Sequence, residues 1–484
     1  MFGTLNWIVL GVYLLVILLI GFIFMHRNKN SNDYFRGGGR IPWWAAGISI
    51  YATMVSAMTF MGIPAKAFST NWTYYPILVT TIFVSIFVIK YYLPYFRRLS
   101  ITSAYEYLEL RFSLTTRLMA SMMFIIYMLA KTALVLYIPS LALSAVTGID
   151  ILHCIMLMGI ITIVYCTVGG IEAVIWGDVI QGTVLVGGAI FLAIWLIMNT
   201  EGGVDGYLDI AIRDDKMRLF DWSWDYRTVS FWVAIIGGLA NNIISYTSDQ
   251  TVIQRYVTTK DEKSAAHSIM LNASMCILIS IVFYVIGTGL YTFFHTHPDF
   301  EIPQSVDAIV PYFMMKELPQ GIAGLLIAAI FASTMSTLSS NINSVSAAFS
   351  MDFYKRFHPN AKEHSCLHVA RCSSFVAGMV GVGLAALMAT WDIQSIIDFF
   401  NKVLGLLTSG VGGLFFMGIF LKRIGSKAAL CGFVCGTIFV IWLTYCTDVN
   451  LFLYGAAGLT VSITIAIVCS YILNEKVRFI SFNE

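Results

Sequence analysis

The sequence has 484 residues, 58% of them hydrophobic and only 12% charged, with a mean hydropathy of +0.79. Soluble domains carry about 25% charge, so water is not the main solvent of this chain. A net charge of +2 gives no basis for a nucleic-acid partner, and nine cysteines without a CxxC motif are read as small packing residues rather than metal ligands.

The first apolar run, Thr4–Met25, contains no charge and is long enough to cross a hydrocarbon layer of roughly 30 Å. Lipid leaves an unpaired backbone unsatisfied, so such a run must be helical. It lacks a small-residue cleavage pattern before His26 and Arg27, which predicts a retained helix rather than a signal peptide. Comparable runs follow at 43–68, 72–95, 115–147, 151–168, 172–200, 228–252, 265–295, 318–352, 366–390, 393–422, 426–446 and 449–473. The expectation is an all-α polytopic membrane protein with about 13 transmembrane helices.

Charge placement predicts orientation. Loops 26–40, 96–117, 255–263, 354–371 and 422–427 hold Arg27, Arg36, Arg40, Arg97, Arg98, Arg255, Lys260, Lys355, Arg371, Lys422 and Arg423, and are expected on the cytoplasmic side. The alternate loops carry Asp205, Asp214, Asp215, Asp221, Asp225, Asp299, Glu301, Asp392 and Asp448. The N-terminus is then outside and the C-terminus inside, in a multi-pass protein of the inner (cell) membrane.

The polar stretch 201–227 divides two blocks of five spans, 43–200 and 228–422. Five is odd, so the second block starts on the opposite face, which is the topology of an inverted repeat. Residues 1–42 add one helix and a basic loop, and 423–484 add two helices and a tail. In such folds the first helix of each block is often broken at mid-membrane, where unwound carbonyls hold ions and solute. Small and hydroxylated residues at Ala52, Thr53, Ser56, Ala57 and Thr59 mark one expected break, and Gly237, Gly238, Asn241 and Asn242 mark the other.

The span from Leu325 to Phe349 is rich in hydroxyls, and Ser333, Ser336, Thr337 and Ser340 follow i, i+3, i+4, i+7. Neutral oxygens on one stripe suit a hard, weakly charged cation such as sodium. Back-bonding to i−4 carbonyls or contacts with neighbouring helices are the alternative use. Asp178 lies early in its span, either solvated at the membrane edge or serving an ion with Ser336, Ser339 and Ser340. Lys131 is the most deeply placed cation and must snorkel, pair or face a polar cavity; Lys402 lies closer to the membrane edge.

The segments SNDYFRGGGRIPWWAAGIS, SITSAYEYLELRF, GGIEAVIWGDVIQG, TSDQTVIQRY and the serine-rich ninth span resemble the sodium/solute symporter family end to end, and within it most nearly the bacterial sialic acid symporters. The resemblance implies a LeuT-like core of two inverted five-helix repeats working by alternating access. It implies a shared sodium site at the carbonyls of Ala52, Val55 and Ser333 and the hydroxyls of Ser336 and Thr337. A second sodium site falls on Asp178, Ser336, Ser339 and Ser340, and substrate contacts fall on Ser56, Thr59, Lys131 and Asn242.

Three positions depart from the sialic acid pattern: Lys131 replaces an arginine, Met54 a threonine and Leu78 a glutamine. Lysine cannot reproduce a bidentate fork on a carboxylate. The expected function is sodium-coupled import of sialic acid, with a neutral sugar or another organic acid as alternatives and a proton-coupled carrier or channel as a distant one. No enzyme activity and no cofactor are expected, sodium being the coupling ion, and the carrier is expected to be monomeric in the bilayer.

Overall fold

A computed structural model describes residues 2–99, 101–303, 306–390, 410–473, 475 and 477. The chain is all-α, and among the described residues the sole β pairing is one isolated bridge, Ile41 with Thr259. Helix α1 spans Thr4–Met25. The DYFRGGGR motif follows it, where Gly37, Gly38 and Gly39 take φ of 57°, 58° and 70°, a left-handed run that side chains disfavour. That turn brings Arg40 Nη1 to 3.2 Å from Asp33 and Arg40 Nε to 3.1 Å from the buried Glu172.

The first predicted break is present. Helix α2 covers Trp43–Met54 and α3 covers Ala57–Ser69, with a 62° bend between them. Val55 (φ −91°, ψ 96°) and Ser56 (φ −85°, ψ 171°) leave the helical region, and serine at the start of α3 is a favoured N-cap residue. Helix α4 is Tyr75–Tyr91 and α5 is Leu114–Thr147.

Helix α6, Ile151–Asn199, includes both spans predicted at 151–168 and 172–200. At about 1.5 Å per residue, 49 residues run straight would reach about 74 Å, more than twice a hydrocarbon layer. The chain reverses instead at Gly170 (φ 58°, ψ −158°), because an ideal Cβ on Gly177 lies 3.6 Å from the Tyr165 ring, twelve residues back. The expected loop is thus a single glycine, packed so closely on Tyr34 that a Cβ would sit 2.9 Å from its ring.

The second predicted break is displaced. Helix α7, Phe231–Ser248, runs unbroken through Gly237, Gly238, Asn241 and Asn242 and stops at Asp249, whose carboxylate caps a short helix α8, Gln250–Tyr256. The glycines serve close packing: a Cβ on Gly237 would meet the Phe452 carbonyl at 2.6 Å, and one on Gly238 would meet Thr80 Oγ1 at 2.7 Å.

Helices α9 (Glu262–Thr296), α10 (Ile322–Ala348), α11 (Glu363–Thr390), α12 (Gly410–Phe420), α13 (Ser426–Cys446) and α14 (Leu453–Leu473) complete the described membrane elements. Eight helices among the described residues are long and apolar enough to cross a membrane, and nine with the bent α2–α3 pair; α4 and α12 are shorter. Most of the eleventh predicted span, with Lys402 and Asp392, lies outside the described residues. The serine-rich α10 is central: nearly every residue is buried, and it touches α1, α2, α3, α5, α6 and α11.

Candidate ion and solute site

A helix that stops in mid-membrane leaves its last carbonyls without intrahelical partners. At the end of α2 these are met by α10. Ser336 Oγ donates to the Ala52 carbonyl at 2.6 Å, while Thr337 Oγ1 lies 3.3 Å from the Thr53 carbonyl and 3.2 Å from the Ser333 carbonyl. Ala52, Val55, Ser333, Ser336 and Thr337 are all buried. The cluster is uncharged and oxygen-only, and a hydroxyl that turns its proton aside presents a lone pair beside the carbonyl it had bonded. Val55 contributes the non-helical step of the break. Thr53 was not assigned an ion-site role from the sequence; its carbonyl joins Thr337, and its hydroxyl lies 2.8 Å from Ser340 Oγ.

Along the same helix, Ser340 meets a second cluster of different character. Asp178 is fully buried, not solvated at the membrane edge, and accepts from Ser49 Oγ at 2.5 Å and Arg255 Nη2 at 3.1 Å. Arg255 also donates to Ser49 Oγ at 2.7 Å and to Ser340 Oγ. This corrects the expectation for Arg255: it is not a cytoplasmic loop charge but a fully buried partner of Asp178. Its placement follows from the late break, since α8 carries the chain inward past residue 252, where the span was expected to end.

Asp178 Oδ1 and both polar atoms of the buried Gln181 have no protein partner among the described residues, an arrangement that suits an ion or water. Ser339 bonds back to the Ser336 carbonyl at 3.0 Å, so its hydroxyl is internal to α10. Ser340 and Asp178 are therefore brought together through Arg255, while Ser336, one turn earlier on α10, bonds the Ala52 carbonyl and Ser339 turns back on its own helix.

The solute residues sit across the break. Ser56 and Thr59 are partly exposed on α3, and their hydroxyls make no side-chain hydrogen bond among the described residues. Asn242 donates to Thr80 Oγ1 at 2.9 Å, which ties α7 to α4 and leaves its amide oxygen unengaged by that bond. Lys131 stands on α5, which touches α3; its Nζ lies 5.9 Å from the Tyr127 ring centroid, and no carboxylate of the described residues comes within 4.0 Å of it. Tyr127 also lines a cavity with Tyr105, Phe124, Ser245, Ser248 and Asp249.

Comparison with known proteins gives a consistent result. Residues 34–436 match the model of the Sodium:solute symporter family. The chain is 39% identical to the sodium/sialic acid symporter SiaT of Proteus mirabilis (strain HI4320), over 96% of this chain and 94% of that one. It is 31% identical to human sodium-coupled monocarboxylate transporter 1, over 86% of this chain and 68% of that one. The solved structure of a Na+-coupled sialic acid symporter in a substrate-bound outward-open state superposes with a TM-score of 0.94 at 36% identity, covering 99% of this chain and all of that one.

Proposed function

The chain belongs to the sodium:solute symporter family, and from that premise we propose that it imports a carboxylated sugar, sialic acid, with sodium as the coupling ion. The observation that carries the proposal is the junction of the broken α2 with α10, where carbonyls of Ala52, Thr53 and Ser333 meet the hydroxyls of Ser336 and Thr337. Sodium at this junction fixes the break, and the break carries Ser56 and Thr59, so ion and solute binding share one conformation. Ala52, Val55, Ser333, Ser336 and Thr337 form the shared ion site in this reading. Asp178 with Ser336, Ser339 and Ser340 forms a second, and Asn242 and Lys131 complete the solute contacts.

Two repeats, 43–200 and 228–422, rock about this junction, with the N-terminus outside and the C-terminus in the cytoplasm. Each inward positive charge releases about 2.3 kcal/mol per 100 mV, so two sodium ions entering with one anion gain about that much net.

Lys131 marks the cargo as an anion, held by a point charge rather than a fork. With Leu78 in place of a polar neighbour, a smaller monocarboxylate is the second reading, in keeping with the cargo of the human relative. The test is uptake of labelled N-acetylneuraminate into proteoliposomes with and without an inward sodium gradient. Sodium-dependent accumulation that Lys131→Ala abolishes supports the reading. Sodium-dependent uptake of lactate or pyruvate without that of N-acetylneuraminate moves the cargo to monocarboxylates.

A further inference from the structure

Two turns beyond Thr59, α3 ends in a cavity of about 420 Å³ that the solute contacts above do not use. Lys66, Arg218 and Arg227 line it, against one acid, Asp221. Arg218 is shared between Asp215 and Asp221, each at 3.7 Å. Lys66 and Arg227 make no ion pair among the described residues; Lys66 Nζ rests 4.9 Å over the Tyr74 ring, and the Arg227 guanidinium 5.6 Å over that of Tyr226. Two cations with no carboxylate within 4.0 Å among the described residues, Asp448 and Asp225 acting on Arg227 from farther off, share one concave wall with Asn71, which has an amide group to donate.

The wall is held in place. Lys216 Nζ donates to the carbonyls of Phe68 at 2.8 Å and Thr70 at 3.1 Å, closing the end of α3 with the loop that follows α6. The Trp72 amide bonds the Arg218 carbonyl at 3.1 Å, and Asn450 Nδ2 bonds the Arg227 carbonyl at 3.0 Å. The cavity is therefore preformed, not assembled by a ligand.

It also lies on a route. Along α3 and its N-cap, Ser56, Met58, Thr59, Gly62, Ile63, Lys66 and Phe68 are partly exposed and Ser69 is exposed, while Ala57, Phe60, Met61, Pro64, Ala65 and Ala67 are buried. Within that set Ser56, Thr59, Ile63 and Lys66 follow i, i+3, i+7, i+10 along one face, and the seven residues from Thr59 to Lys66 span about 10 Å.

We infer that this cavity is an outer docking subsite for a carboxylate anion, which captures the solute at Lys66 and Arg227 before it descends the stripe to Ser56 and Thr59. The inference rests on the cargo reading above, in which the solute is a carboxylate. A concave wall with an excess of one sign raises the local concentration of the opposite ion and speeds encounter, an effect that salt removes.

The experiment is initial N-acetylneuraminate uptake by full-length protein at fixed sodium, with ionic strength set by choline chloride. Lys66→Gln and Arg227→Gln are each expected to raise KM by roughly threefold to tenfold at low ionic strength while the maximal rate stays near the parent's. The variants should converge on the parent at high ionic strength, and Lys66→Arg should keep the parent KM. An unchanged KM at low ionic strength, or a rise by the same factor at every ionic strength, overturns the subsite. If the parent does not carry this anion at all, the cargo reading fails instead.

A second measurement then decides the cavity by itself. In Lys66→Cys, an anionic methanethiosulfonate should react faster than a cationic one, and added Arg227→Gln should narrow the gap. Rates are taken as the difference from the parent, in which Cys372, Cys431, Cys435 and Cys446 are exposed. A faster cationic reagent overturns the proposal.

Discussion

Helix α10 serves two clusters one turn apart in opposite electrostatic styles. At Ser336 and Thr337 it faces carbonyls of a broken helix, and every oxygen is neutral. At Ser340 it faces a fully buried Asp178–Arg255 pair. The neutral cluster loses little when it is empty, since each hydroxyl falls back on a carbonyl. The charged cluster cannot be thinned so cheaply: a buried charge left alone carries its whole desolvation penalty. In the proposed reading the same residue type, serine, thus supports a neutral ion site in one place and, in the other, a charged pair that stays in place whether or not the second ion is bound.

Breaking the pair tests that contrast most severely. Asp178→Asn or Arg255→Gln alone should destabilise the fold by about 3 to 5 kcal/mol, read as a lowered melting temperature in detergent together with lost uptake. The double variant should recover part of that stability. If the two single losses simply add, the pair is not the scaffold described here.

Ser336→Ala should act differently, costing only about 1 kcal/mol of stability, the net worth of one hydrogen bond. Its effect should appear as a sodium requirement raised roughly tenfold, which titration of uptake against sodium measures. A large drop in melting temperature with an unaltered sodium requirement would invert the two roles. A finer cut is Thr337→Ser against Thr337→Val: the first keeps the oxygen that lies near Ser333 and Thr53 and should leave sodium dependence within about twofold, whereas the second should approach Ser336→Ala.

The smallest effect is expected outside the bilayer. Arg356 and then Arg117 hydrogen-bond the Glu109 carboxylate and hold it below its ordinary range. A depressed value means the network stabilises the fold above the ordinary carboxylate pKa and loses that contribution as pH falls through the lowered one. The melting-temperature difference between the parent and Glu109→Gln should therefore persist at neutral pH and close only in acid. A gap that widens in acid would contradict the sign.

Much of this architecture is legible in the residues. Uninterrupted apolar runs reveal helices because lipid permits little else, and a hydroxyl stripe on α10 stands out because nothing in lipid calls for it. The first break is readable at Ala52, Thr53, Ser56, Ala57 and Thr59, where small and hydroxylated side chains replace leucines. The second misleads, because Gly237 and Gly238 signal either a break or a close approach, and only the position of Phe452 and Thr80 decides between them.

The capping aspartate in TSDQ was the better marker, and reading α8 as helix would have carried Arg255 inward to Asp178. The reversal at Gly170 falls between the spans expected at 151–168 and 172–200, a one-residue turn that needs no polar loop. Resemblance to a known family supplied the proposed ion ligands, but the contact of Thr53 with Thr337 and Ser340 depends on how two helices meet, which no linear pattern contains.

The Asp178–Arg255 pair has a further electrical consequence. A carboxylate and a guanidinium 3.1 Å apart that move as one body carry no net charge through the membrane field. Their displacement then produces no transient current, and the return of the unloaded carrier is silent at this position. Charge movement recorded from the protein on a voltage step would then come from ions entering the proposed sites or from unpaired charges such as Lys131, not from this pair.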